Sequence, residues 1–303
     1  RVFLWKVPGG GAPTGGDFLD AFKNFHFVYD LFITTDNATK KQEIESILRS
    51  NGKDAQIFVT GNVGRDVLPM LKLKDYLSDY DYIGHFHTKK SKEADFWAGE
   101  SWRNELIDML IKPADNILAN FENDKLGLVI ADIPTFFRFN KIVDAWNEHL
   151  IAPKMNDLWE KMGMTKTIDF NDFHTFVMSY GTFVWFKYDA LKPLFDLELT
   201  DEDVPAEPLP QNSILHAIER LFVYIAWNEH YDFRISKNPI DMTPFVDNKL
   251  YNERGDSAPH TYVDFTYMGG IKGAFKYIFI GPARAMKYIV KRTLEKMTHD
   301  RKG

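Results

Sequence analysis

Short apolar runs alternate along the chain with stretches in which apolar residues return every three or four positions. Residues 28–34 (VYDLFIT), 55–60 (AQIFVT), 82–87 (YIGHFH) and 126–131 (LGLVIA) have strand length and are rich in β-branched and aromatic side chains. Residues 37–49, 67–77 and 213–228 have helical spacing, and in the last of these Ile214, Ile218, Leu221, Phe222 and Ile225 fall on one face. Residues 96–120 read as helix broken near Pro113, and residues 140–162 as a further helical stretch carrying Trp146 and Trp159. Residues 175–187 (TFVMSYGTFVWFK) contain a strand, with Gly181 where a bulge or a close backbone approach would sit. Strands alternating with helices imply parallel pairing through crossover helices. The expected fold is therefore α/β: a Rossmann-like, mostly parallel sheet flanked by helices. Ligands of such sheets gather beyond the carboxyl ends of the strands, so the polar residues there are the first candidates for chemistry.

Outside this pattern lie two segments of different character. Before residue 27 stand a short apolar run, residues 2–7, and a glycine-rich stretch, residues 9–16 (GGGAPTGG). That stretch has neither a following Gly-Lys-Ser/Thr nor GxGxxG spacing, which argues for a loop or linker over a phosphate loop. No cleavage pattern follows the apolar run, so no secretory leader is expected. Arg1 in first place suggests a piece or a processed form of a longer polypeptide. At the other end, residues 272–303 hold nine Lys or Arg against two carboxylates, a net +7, which leaves −13 on the remainder of a chain whose total is −6. The sequence thus divides into an N-terminal segment (1–26), a main domain (27–240) and a C-terminal extension (241–303). Within the extension, residues 275–297 pair Tyr, Ile, Phe and Met with Lys and Arg, as a basic amphipathic helix on an anionic bilayer surface does. A helix packed on the domain is the plainer alternative, since Pro282 interrupts the pattern.

Composition narrows the function by exclusion. With 45% hydrophobic and 26% charged residues the chain is an ordinary globular one. The absence of cysteine removes disulfides, thiolate metal sites and cysteine nucleophiles. Its acidic balance argues against nucleic acid as a partner.

Three constellations remain. On the strand at 82–87, His85 and His87 share a face, and Thr88, Lys89, Lys90 and Ser91 follow. Two imidazoles, two ammonium groups and hydroxyls suit a phosphate or diphosphate. A metal on His85 and His87 is a further option, although the spacing supplies no third ligand. Second, Gly61-Asn62-Val63-Gly64-Arg65-Asp66 combines turn glycines with a guanidinium fork and a carboxylate. The plain alternative is that Asn62 and Asp66 cap the next helix. Third, Gly181-Thr182 precedes an acidic loop in which Glu207, set between two prolines, is the better-held general base and Asp203 the fallback. Glu219 and Arg220 read as an ion pair locking their helix.

In order, Asp30-Leu31-Phe32-Ile33-Thr34-Thr35, Asn62-Val63-Gly64-Arg65-Asp66, Tyr82 to Ser91, Gly181-Thr182-Phe183-Val184-Trp185-Phe186 and His216-Ala217-Ile218-Glu219-Arg220-Leu221 resemble the rhamnan synthesis F family of bacterial glycosyltransferases, over roughly residues 27–234. The resemblance implies transfer of a deoxyhexose, from dTDP-rhamnose, to a lipid-linked cell-wall or capsular glycan at the inner face of the plasma membrane. It also implies an order of parts similar to GT-A glycosyltransferases, in which an Asp-x-Asp binds metal and diphosphate. His85-Phe86-His87 stands in that place here, so Lys89 and Lys90 would take over the electrostatic work of Mg²⁺ or Mn²⁺. On this reading Glu207 is the base of an inverting displacement. Arg65, His85, His87, Lys89, Lys90 and Ser91 meet the diphosphate, and Thr35, Asp36, Asn62 and Asp66 hold nucleoside or sugar. Trp102, Arg103, Gly181 and Thr182 face the acceptor. A sugar-phosphate or polyol-phosphate transferase and a non-catalytic assembly module are the competing readings.

Overall fold

The computed structural model describes residues 2–7, 22, 25–87, 96–134, 149–173, 176–210 and 212–237, together with residues 282, 286, 289, 290 and 293. Among the described residues seven strands form one sheet: β1 Val2–Val7, β2 Asp30–Thr35, β3 Gln56–Val59, β4 Ile83–His87, β5 Leu126–Ala131, β6 Val184–Phe186 and β7 Asp232–Ser236, in the order β3-β2-β1-β4-β6-β5-β7. Pairings β1–β2, β1–β4, β2–β3 and β5–β7 are parallel, while β6 runs antiparallel to both β4 and β5. The sheet is thus mostly parallel, as expected, but not purely so: the short β6 alone runs against its neighbours.

Helices alternate with the strands much as the periodicity implies. They are α1 Ala38–Ser50, α2 Val67–Leu71, α3 Lys74–Leu77, α4 Phe96–Leu106, α5 Ala114–Asn120, α6 Ala152–Lys161, α7 Tyr188–Asp196 and α8 Ile214–Asn228. Asn37 caps α1 by accepting the Lys40 N–H at 2.8 Å. The stretch read as one helix over 67–77 is two, parted at Lys72-Leu73. The expected break near Pro113 is present: α4 runs into a π-helical turn, Ile107–Ile111, and Pro113 then stands as the cap of α5. Part of the helical stretch expected over 140–162 lies outside the described residues; α6 is the part inside them.

Strand alternation splits the core into two layers, one on each face of the sheet. Phe32, Ile83, Leu128, Ile130, Val184 and Phe186 pack with α2, α6, α7 and α8. Leu31, Ile33, Phe86, Val129 and Trp185 pack on the other face with α1, the π-helical turn and α5. Gly84 belongs to the second layer, and a Cβ there would stand 2.7 Å from the Phe86 ring and 3.0 Å from the Trp185 ring. These two rings need the bare backbone.

Two strands went unassigned in the sequence reading, β1 and β7. Val2–Val7 lies in the middle of the sheet, with Leu4 opposite both Phe32 and His85, so these residues are part of the sheet and not a segment ahead of it. The order β3-β2-β1-β4 reverses direction between β1 and β4, which places the switch-point crevice at the carboxyl ends of those two strands. His87 ends β4 and Thr35 ends β2 on that same side.

Candidate functional site

The carboxyl end of β4 receives the turn that leads into β6. Because β6 runs antiparallel with Val184 opposite His85, residues 180–182 necessarily overhang the end of β4. Gly181 and Thr182 both take left-handed backbone, with φ of 64° and 57°. Glycine does so freely, whereas for β-branched threonine it costs on the order of 1–3 kcal/mol. This geometry turns two successive carbonyls toward the histidines. The His85 Nδ1–H donates to Thr182 O at 2.9 Å, and the His87 Nε2–H donates to Gly181 O at 2.7 Å. A carbonyl only accepts, so each contact fixes which ring nitrogen carries a proton. The other nitrogens, His85 Nε2 and His87 Nδ1, are buried and meet no hydrogen-bond partner among the described residues.

The hydroxyl of Thr182 donates to Asp66 Oδ2, and that oxygen lies 4.0 Å from His85 Nε2. Asp66 precedes α2 without capping it; its carboxylate reaches across to the turn instead. Burial pushes the Asp66 carboxyl up, but the imidazoles of His87 and His85 and the Thr182 hydroxyl together hold it below the usual carboxylate range. Burial likewise lowers the pKa of His85 and outweighs the pull of Asp66, so His85 is neutral at pH 7.

Arg65 also has left-handed backbone, φ 53°, and its side chain leads away from that of Asp66. It meets Glu207 in a forked ion pair, Nε to Oε1 at 3.0 Å and Nη2 to Oε2 at 3.5 Å. The Leu209 N–H donates to the same carboxylate at 3.0 Å. Arg65 and Asp66 therefore join the acidic loop to the histidine turn through adjacent side chains. Trp102 on α4 lies against the turn: a Cβ on Gly181 would come within 3.0 Å of its ring and 3.6 Å of His87 Nε2.

Of the residues singled out in the sequence, Arg65, Asp66, His85, His87, Trp102, Gly181, Thr182 and Glu207 come together at this rim. Thr35 is buried and its hydroxyl donates to Asp36 at 3.3 Å, at the end of β2. Asn62 is exposed in the loop before α2, and Arg103 is buried on α4. Asp203 closes a capping box with Thr200, whose N–H donates to it at 2.8 Å; the Thr200 N–H and hydroxyl hold its carboxyl below the ordinary value. Lys89, Lys90 and Ser91 lie outside the described residues. Glu219 is the residue whose role the sequence reading missed. Its Oε1 accepts the Gly181 N–H at 2.6 Å, while Arg220 stands 3.6 Å from Oε2 and donates to His216 O at 2.8 Å. Its place in the ordered motif His216 to Leu221 was the available signal.

A divalent metal finds little here. Among the described residues no group of three or more His, Asp or Glu is placed to hold an ion. Mg²⁺ and Mn²⁺ prefer oxygen-rich shells, whereas the described residues of this rim offer two imidazoles, one carboxylate engaged by Thr182 and a second paired with Arg65. The donor set does not fit, and no step below passes through a metal.

The model of the family described as rhamnan synthesis protein F matches residues 15–231, which contain every residue of this rim. The chain belongs to the rhamnan synthesis protein F family. The family's description attaches it to polysaccharide synthesis. Similar curated proteins include an uncharacterized protein, WxcX, from two strains of Xanthomonas campestris pv. campestris, each 29% identical over 215 residues. The aligned region is 69% of this chain but 29% of the relatives' length. None of the helices among the described residues is long and apolar enough to cross a membrane.

The neutral, buried His85 makes stability depend on pH. Its folded pKa lies below the unfolded value of 6.5, so the unfolded chain binds more protons in the interval between them. That contribution is intact above pH 6.5 and falls away on acidification, by at most about 1.4 kcal/mol per pH unit for one proton. Denaturant titrations between pH 7.5 and 5 will show this slope, and His85→Asn, which keeps a donor near the Nδ1 position, will flatten it. An unchanged slope in the variant contradicts the assignment.

Proposed function

We propose that this domain is an inverting glycosyltransferase that moves rhamnose from dTDP-rhamnose to a lipid-linked cell-wall or capsular glycan. The observation that carries the reading is the convergence of Arg65, Asp66, His85, His87 and Glu207, from three separate motifs, at the switch-point edge of the sheet. The strand order β3-β2-β1-β4, with antiparallel β6 beyond it, supports a GT-A-like sheet. Thr35, Asp36, Asn62 and Asp66 would hold nucleoside or sugar, and Trp102, Arg103 and the Gly181-Thr182 turn would border the acceptor.

In the transfer step an acceptor hydroxyl oxygen forms a bond to the anomeric carbon as the bond to the diphosphate oxygen breaks. The hydroxyl proton passes to Glu207, and the bonding pair leaves with the nucleoside diphosphate. Arg65, with Lys89 and Lys90 following the histidine strand in sequence, meets the charge that develops there. Without ligand, Arg65 and Glu207 occupy each other. Arrival of a diphosphate at Arg65 opens that pair and frees the base, which ties proton acceptance to donor binding.

A screen of nucleotide sugars by thermal shift, with and without Mg²⁺ or Mn²⁺, tests donor and metal together through ligand linkage. dTDP-rhamnose raises Tm in the wild type and in Glu207→Gln, and Glu207→Gln loses transfer by 10²-fold or more, the usual order for a general base. Arg65→Ala loses the Tm shift. Transfer by Glu207→Gln within a few-fold of wild type moves the base to Asp203 or another group.

The reading extends to the membrane. Met286, Ile289 and Val290 are helical and exposed, at 66%, 42% and 55%, and their spacing puts them on one face of a basic stretch. Lys287, Lys291, Arg292 and Lys296 accompany them in sequence, each worth about 1 kcal/mol near an anionic surface. Sedimentation with phosphatidylserine-containing liposomes tests this: the full chain is expected to pellet and a chain ending at Ile271 is not. Equal pelleting of the two rejects the membrane role.

A further inference from the structure

The Gly181-Thr182 turn supplies both carbonyls that hold the histidines, yet its own conformation is the left-handed one that threonine resists. Something must hold it there. Part of the answer is local: the Thr182 N–H donates to Ser179 O at 2.8 Å. The stronger contact comes from 38 residues away, where the Gly181 N–H meets Glu219 Oε1 at 2.6 Å. A hydrogen bond to an ionised carboxylate is about twice as strong as a neutral one. Glu219 itself is well anchored. Its side chain is 16% exposed, Arg220 stands beside its second oxygen, and its backbone carbonyl accepts the Ser179 hydroxyl at 3.3 Å. Around it Leu215, Ile218, Leu221 and Phe222 fix α8 in the core.

We infer that Glu219 is a positioning residue for the histidine pair: by holding the Gly181 N–H it keeps both turn carbonyls in place, and so sets the protonated nitrogen of His85 at Nδ1 and of His87 at Nε2. The consequence concerns the nitrogens that remain. With this turn in place His85 Nε2 and His87 Nδ1 are buried lone-pair acceptors, suited to a hydrogen-bond donor. With the turn released the two rings are free to rotate or exchange tautomers. The tautomer assignment stands without the reading of this rim as the diphosphate site.

The test uses protein labelled with ¹⁵N-histidine, in which long-range ¹H–¹⁵N spectra distinguish protonated from lone-pair ring nitrogens; His85→Asn and His87→Asn assign the signals. Wild type and Glu219→Gln, which keeps a carbonyl acceptor, show His85 protonated at Nδ1 and His87 at Nε2. Glu219→Met, of similar length without an acceptor, shows mixed tautomers for both rings. Should Glu219→Met fail to fold, Glu219→Asp, with its carboxylate withdrawn by one methylene, shows the same redistribution in part. A folded Glu219→Met or Glu219→Asp with wild-type ring signals overturns the inference, even if its Tm is lower, because a merely structural residue moves Tm alone. If the wild type binds no dTDP while the tautomers respond as stated, the donor reading fails and the positioning role survives.

Discussion

The rim depends on one constraint: β6 enters the sheet backwards, between β4 and β5. A parallel strand in that place would bring its amino end to the far side of the sheet. The antiparallel return instead delivers the start of β6, and the turn before it, to the carboxyl end of β4. From there Thr182 O and Gly181 O reach His85 and His87, and the Thr182 hydroxyl reaches Asp66. Each of these contacts satisfies a polar group at a buried position where an unpaired one costs about 1–3 kcal/mol. Together they offset the left-handed backbone that the turn requires.

Arg65 and Asp66 show how local strain organises charge. The left-handed residue 65 parts the two side chains, so that the carboxylate goes to the histidine turn and the guanidinium to Glu207. Among the described residues the Arg65 guanidinium is matched by the Glu207 carboxylate, while Asp66 keeps its negative charge beside neutral His85 and is held by the Thr182 hydroxyl. An anion at Arg65 competes with Glu207, and charge is exchanged rather than added. Lys89 and Lys90, to which the sequence assigns much of the field, lie outside the described residues.

Much of the architecture was legible in the apolar pattern. Residues 82–87 and 126–131 were read within a residue of β4 and β5, and the shared face of His85 and His87 followed from strand geometry. Three features were not. Val2–Val7 is too short to distinguish itself, and the glycine-rich run behind it reads as a linker, so a central strand was grouped with an N-terminal segment outside the main domain. The direction of β6 leaves no trace in a period of two, since parallel and antiparallel strands alternate alike. Adjacent opposite charges at Glu219 and Arg220 suggested a pair, which is present at 3.6 Å, but gave no sign that the carboxylate also accepts a backbone N–H far away in sequence. Asp66, by contrast, stood where a cap is expected, and only tertiary structure shows its side chain spent elsewhere.

The account turns on whether a nucleoside diphosphate occupies this edge of the sheet. A crystal structure of the chain with dTDP decides it. The pyrophosphate is expected within hydrogen-bond reach of Arg65, beside the histidine turn, with the Arg65–Glu207 contact opened. Nucleotide bound at another face, with Arg65 and Glu207 still joined, would contradict it.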